Sequence, residues 1–118
     1  MESKQEGRVS INGRTKGHGF ERYIVNKLKQ FFPNAERVKC GDSLDLKGVD
    51  IRGAGRLHIQ AKRNRNYAPI GKIEEIKTEG GIPILWTKGD RRRPIVCMYE
   101  DDFLEIINNN GVIYERHN

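Results

Sequence analysis

Asp50, Gln60 and Lys62 are the side chains in this sequence best placed to do chemistry together. They fall within Gly48-Val49-Asp50-Ile51-Arg52-Gly53-Ala54-Gly55-Arg56-Leu57-His58-Ile59-Gln60-Ala61-Lys62-Arg63. That stretch reads as a tight β-hairpin, with an acid on one arm and a polar pair on the other. Leu57, Ile59 and Ala61 alternate with His58, Gln60 and Lys62. Alternate side chains on a strand share a face. The apolar set therefore points into a core, and Gln60 and Lys62 leave the opposite face. With Gly53-Ala54-Gly55 as a three-residue loop, Arg52 faces Arg56 and Asp50 faces His58. Gln60 is then the diagonal neighbour of Asp50, roughly 7 Å away or less between Cβ atoms. A loop of two or four residues is the open alternative, and a one-residue slip would send Asp50 to the core face. A carboxylate, an amide oxygen and an ammonium gathered on one face could hold a divalent metal beside a phosphate.

The elements that position these groups follow from apolar periodicity. Phe20, Ile24, Leu28 and Phe31 recur at helical spacing, with Val25 and Phe32 widening the stripe, and Pro33-Asn34 ends it. Glu21 lies along one edge of that stripe, where a carboxylate is costly to desolvate without a cationic or metal partner. Its plainer role is a first-turn acid that favours the helix dipole. Arg37–Cys40 reads as a short strand and Gly41–Gly48 as a polar loop. After the hairpin, Ala68–Glu79 reads as a helix stopped by Gly80-Gly81, with Ile70, Ile73 and Ile76 three residues apart. Ile82–Trp86 and Ile95–Tyr99 read as strands, with Pro83 marking a strand start or edge. Thr87–Arg93 between them is a basic turn. Glu100–Ile107 reads as a helix, and Val112–Tyr114 as a final short strand. This order predicts an α/β or α+β domain around a mixed sheet over residues 17–118, preceded by a flexible basic arm at 1–16.

The chain of 118 residues has room for one core. Charged residues make up 32% of it, with a net charge of +6, a balance that favours a polyanionic partner, nucleic acid first. No apolar run reaches the roughly 18 residues of a membrane span, and the N-terminus has no apolar signal-like region. Cys40 and Cys97 match no metal-ligand spacing and suit a reducing compartment, so a cytoplasmic location is expected.

With Glu21 in Gly19-Phe20-Glu21-Arg22, the Val49-Asp50-Ile51 strand and the Gln60-Ala61-Lys62 strand end, the chain resembles the PD-(D/E)XK nuclease superfamily. Within it, the chain looks most like the small archaeal and phage Holliday junction resolvases. The resemblance covers most of the chain and implies a restriction-endonuclease-like mixed sheet flanked by helices. It implies metal-dependent hydrolysis of DNA phosphodiesters at four-way junctions by a homodimer, with no small-molecule cofactor. If phage-encoded, the protein would work in the cytoplasm of an infected host. Asp50 would be the main ligand to Mg2+ (or Mn2+), Gln60 the second through its side-chain oxygen, and Glu21 a third, directly or through water. Lys62 would steady the attacking hydroxide or the charge growing on the phosphorane. The family usually has Glu or Asp where this chain has Gln60, which predicts weaker metal binding, and Val49 stands where Pro often precedes the acid. Ser43 corresponds to a functional serine in a comparable loop of related resolvases.

Other candidates have plainer explanations beside the functional one. Ordinary loop polarity accounts for Ser43 and Asp45. His18 suits a solvent-facing helix start, and His58 is a spare candidate for proton transfer or a surface histidine. Arg14, Lys16, Arg63, Arg65, Lys88, Arg91, Arg92 and Arg93 form the expected DNA-binding set, giving salt-dependent phosphate contacts with little sequence information. Tyr67 and Trp86 could stack on an opened base, or simply pack. The competing readings are another small nicking or repair endonuclease, a non-catalytic DNA-binding module of the same fold, and an RNA-binding protein.

Overall fold

The computed structural model describes residues 17–109. The predicted arm, with Arg14 and Lys16, and the predicted strand at Val112–Tyr114 lie outside them. In chain order the elements are α1 (residues 17–28), β1 (Glu36–Arg37), α2 (Ser43–Leu46), β2 (Ile51–Arg52), β3 (Leu57–Arg63), a 3₁₀ turn (Ile70–Glu75), β4 (Ile82–Lys88), β5 (Ile95–Cys97) and α3 (Glu100–Asn108). The strands form one mixed sheet in the order β1-β2-β3-β4-β5. Every neighbouring pair is antiparallel except β3 and β4, which run parallel. This is an α+β fold. No helix among the described residues is long and apolar enough to cross a membrane.

The sheet buries both faces. Ile51, Ile59, Ile82 and Ile84 pack under Phe20, Ile24, Val25 and Leu28 of α1, with Met98 and Ile106 joining at the α3 side. On the other face Leu85 packs with Val49, Ile73 and Ile76. Two-sided burial is what a parallel pair with a crossover produces. The crossover from β3 to β4 carries the 3₁₀ turn across the second face. Pro83 is tolerated inside β4 because β5 pairs only with Leu85, Trp86 and Thr87, so no β5 residue is registered opposite Pro83.

Several expectations need correction. Ala68–Glu79 is not a helix of that length: only Ile70–Glu75 is helical, and it is 3₁₀. Isoleucines spaced by three after Pro69 suit a helix with three residues per turn. Ile70 itself is exposed, and the buried pair is Ile73 and Ile76. Phe31 is 62% exposed, because α1 gives way to a turn after Leu28 and Phe32 takes the buried place. The first strand is Glu36–Arg37 rather than Arg37–Cys40, and the polar loop contains α2, capped by Asp42 accepting from the Leu44 N–H at 3.0 Å.

The hairpin register also differs. Ile51 pairs with Ile59, so Arg52 stands opposite His58, while Asp50, just outside β2, also bonds through its N–H to the Ile59 carbonyl. Ala54 is fully buried and belongs to the α1-side core, so the turn dips inward instead of closing as a three-residue loop. Gly53, at φ +81°, permits this, since a Cβ there would run into the Asn34 carbonyl. The shift is two residues, an even number, so the β3 side chains keep their faces; Val49 and Ile51 fall in opposite cores, so the alternation stops at Asp50.

Candidate functional site

Asp50 immediately precedes β2 and is bonded to β3 on either side of Gln60. The Asp50 N–H donates to the Ile59 carbonyl (2.8 Å), and the Asp50 carbonyl accepts from Val38 N–H (2.8 Å). The side chain is held as well: Asp50 Oδ2 accepts the Ala61 N–H at 2.8 Å. Burial pushes the Asp50 carboxyl up to about 6, against the pull of that N–H. The charges of Glu21 and Asp45 raise it further, and Lys62 lowers it. Glu21, Asp45 and Lys62 therefore all lie within electrostatic reach of Asp50.

Gln60 corrects one expectation. Its side chain does not leave the sheet into solvent: the residue is 4% exposed. It lies close enough to the Glu75 carboxyl to help hold that group down. Its Oε1 is buried and finds no hydrogen-bond donor among the described residues. Lys62, two residues on, is half-buried on the same face and acts on both Asp50 and Glu75.

Glu21 is where the stripe argument placed it, at 18% side-chain exposure, but its partner is a cation: Arg37 Nε donates to Glu21 Oε1 at 2.9 Å. Ser43 is exposed on α2. Asp45 closes its own loop by accepting the Gly41 N–H at 3.2 Å. His58 is opposite Arg52, not Asp50, and sits against Gly81 and Thr78. His18 is exposed.

Glu75 and Arg37 are the site residues that sequence reasoning missed. The Glu75 carboxyl is held below its ordinary range, first by the hydrogen bond from Lys72 at 3.0 Å, then by Gln60 and Lys62. The signal for it was the three-residue isoleucine spacing. A 3₁₀ turn eclipses Lys72 and Glu75 (i, i+3).

The basic residues gather at one end of the sheet. Arg63 and Lys88 are neighbours on the parallel strands, and the loops that follow lie together, with Asp90 N–H donating to Arg65 carbonyl at 2.9 Å. Arg63 is paired with Asp90 (2.8 Å). Arg65, Arg91, Arg92 and Arg93 are exposed. Tyr67 is packed, donating its hydroxyl to the Arg93 carbonyl (2.7 Å) beneath the Arg92 guanidinium, and Trp86 packs against the core.

Among the described residues no three His, Cys, Asp or Glu side chains stand together as an ion site. The oxygens present still suit a hard cation. Asp50 is an anion destabilised by burial, and Gln60 Oε1 is a buried acceptor without a donor. Both conditions are relieved by a cation that keeps several waters, as magnesium does. The chain matches no protein-family model, no curated protein and no solved structure.

Proposed function

We propose that this protein is a metal-dependent, structure-selective DNA endonuclease that hydrolyses phosphodiesters at four-way junctions and works as a homodimer. The observation that carries the reading is a half-buried Asp50, its carboxyl pushed up by burial, bonded to β3 on either side of a Gln60 whose Oε1 is buried without a donor, with Lys62 in electrostatic reach. Perturbed, desolvated polar groups of this kind cluster at functional sites. Asp50 and Gln60 would hold Mg2+ or Mn2+, with Glu21 contributing through water. The ion would supply Lewis-acid polarisation of a phosphate oxygen.

The remaining roles belong to the chain. The Ala61 N–H fixes the Asp50 carboxylate, Lys62 offers its ammonium to charge growing on the phosphate, and Arg37 holds Glu21 in place. Arg65 and Arg91–Arg93 present exposed cations that would follow the phosphate backbone without reading bases. Two symmetric cuts call for a twofold assembly.

The engagement of Glu21 with Arg37, and the small carboxylate count, favour one second reading: a DNA-binding module of this fold without catalysis. One experiment separates them. A labelled four-way junction and a matched linear duplex are incubated with the protein, in magnesium or chelator, beside Asp50→Asn. Paired, metal-dependent cuts in the junction alone, lost in the variant, are expected. Tight junction binding with no cutting in magnesium or manganese would leave the module. Arg91→Ala should weaken binding to all sequences alike and lower the salt slope by about 1; a loss confined to particular sequences would contradict a phosphate role.

A further inference from the structure

The start of α1 and the ends of β3 and β4 line an open cavity of about 370 Å3. Small-ligand sites run from roughly 300 to 1,000 Å3. The lining is mostly apolar and comes from three places. Gly19, Phe20 and Tyr23 belong to α1, Arg63 and Lys88 end the two parallel strands, and Pro94 stands just before β5.

One side of the cavity is aromatic. The Phe20 and Tyr23 rings lie 5.9 Å apart between centroids and 12° from parallel. Phe20 is anchored in the core, whereas Tyr23 is 40% exposed and keeps ring surface for a guest. Lys27 Nζ, 5.5 Å from the Tyr23 centroid, steadies that ring from the next turn of the helix. Gly19 adds room beside the rings: a Cβ there would meet no atom within 4 Å.

The other side is cationic. Arg63 is already committed, to Asp90 at 2.8 Å and to the Asn64 carbonyl at 2.6 Å. Lys88 Nζ donates to the Gly89 carbonyl at 3.1 Å, which takes one of its three N–H donors and leaves two for an anion. The loops that continue from Arg63 and Lys88 carry the exposed Arg65, Arg91, Arg92 and Arg93. An apolar cavity alone would suit many guests. One set among cations, on a chain of net charge +6, suits a flat ring with an anion one sugar away, which is a nucleotide.

We propose that this cavity receives one unpaired nucleobase of bound DNA, stacked on Tyr23, with its phosphate on Lys88. The inference rests on the nuclease reading above and narrows its substrate to branch points that carry an unpaired nucleotide. A mostly apolar lining has few groups to read a base edge, so the site adds affinity rather than sequence preference.

The experiment compares two four-way junctions in chelator, so that neither is cut. One is fully paired, and the other carries a single unpaired 5-iodouracil nucleotide at the branch. Affinity is measured for both, and the second complex is irradiated and its crosslinks mapped by mass spectrometry. The native protein should bind the unpaired junction about 10-fold more tightly, with the crosslink on Phe20 or Tyr23. Gly19→Leu, which puts a side chain into the open space, should lower the unpaired junction to the affinity of the paired one. Tyr23→Ala should do the same by removing the stacking surface. Lys88→Gln should weaken the unpaired junction more than the paired one; an equal loss on both overturns the phosphate contact. Equal native affinity for the two junctions, or a crosslink on Tyr67 or Trp86 instead, overturns the base site and leaves the nuclease reading standing. So does a preference that survives both Gly19→Leu and Tyr23→Ala. Binding to neither junction removes both readings.

Discussion

The face of the sheet under α1 and the face under the 3₁₀ turn are assembled from different materials. Against α1, Ile24, Ile51, Ile59 and Ile82 are buried with no polar group among them. Against the 3₁₀ turn, a smaller apolar set of Val49, Ile73, Ile76 and Leu85 shares the space with Gln60 and Thr87. The first face is where burial is favourable and nothing else happens. The second buries groups that would be better solvated, and that is where a ligand can return something to the protein. Apolar and polar burial are divided between two sides of one strand: Ile59 points to one, Gln60 to the other.

The sharpest way to break the contrast is from the stabilising side. Ile59→Ala, in the fully buried α1-side core, should cost about 3–4 kcal/mol by denaturant unfolding. A cost below about 1 kcal/mol would mean that this face is not the main core.

For the half-buried acid beside that core the sign should reverse. The Asp50 carboxyl is raised from 3.8 to about 6. Between those values the native state holds a proton that the unfolded state has lost, so stability falls as pH rises through that window. The full cost is present above about pH 6. Asp50→Asn keeps an acceptor for the Ala61 N–H and removes the charge. In metal-free protein at pH 8 it should stabilise by up to about 3 kcal/mol, reduced by whatever the half-buried carboxylate recovers from water. At pH 3 the difference should vanish. A destabilised Asp50→Asn at pH 8 would mean that the carboxylate is structural.

Thr87 marks the boundary between the two kinds of burial. Its buried Oγ1 accepts the Ala68 N–H at 2.9 Å, anchoring the start of the crossover. Thr87→Val should leave that N–H without a partner and cost about 2 kcal/mol, again by denaturant unfolding. An unchanged midpoint would show that water replaces the hydroxyl.

Much of this was legible in the sequence, because the period of a strand and of a helix is written in side-chain type. The alternation Leu57-His58-Ile59-Gln60-Ala61-Lys62 assigns faces correctly, and the Phe20 to Leu28 stripe finds its core. The register was not legible. It depends on Ala54 turning inward against α1, a tertiary contact that no local rule contains. The burial of Gln60 was missed for the same reason. The 3₁₀ turn was mistaken for a longer helix because spacing by three fits both periods over so short a run. Arg37 became the partner of Glu21 through strand pairing, which brings β1 beside β2, and not through any motif.

The strands that supply the site are very unequal. β1 and β2 are two residues each, whereas β3 and β4 are seven. Asp50 hangs from the short side and Gln60 from the long one, so the weakest seam of the sheet runs between them. In amide hydrogen exchange, Val38, Asp50 and Ala61 should open by local fraying well before the amides that join β3 to β4. A cation gripping both residues would stitch that seam, slowing exchange at Val38 and Asp50 while leaving the centre of the sheet unchanged.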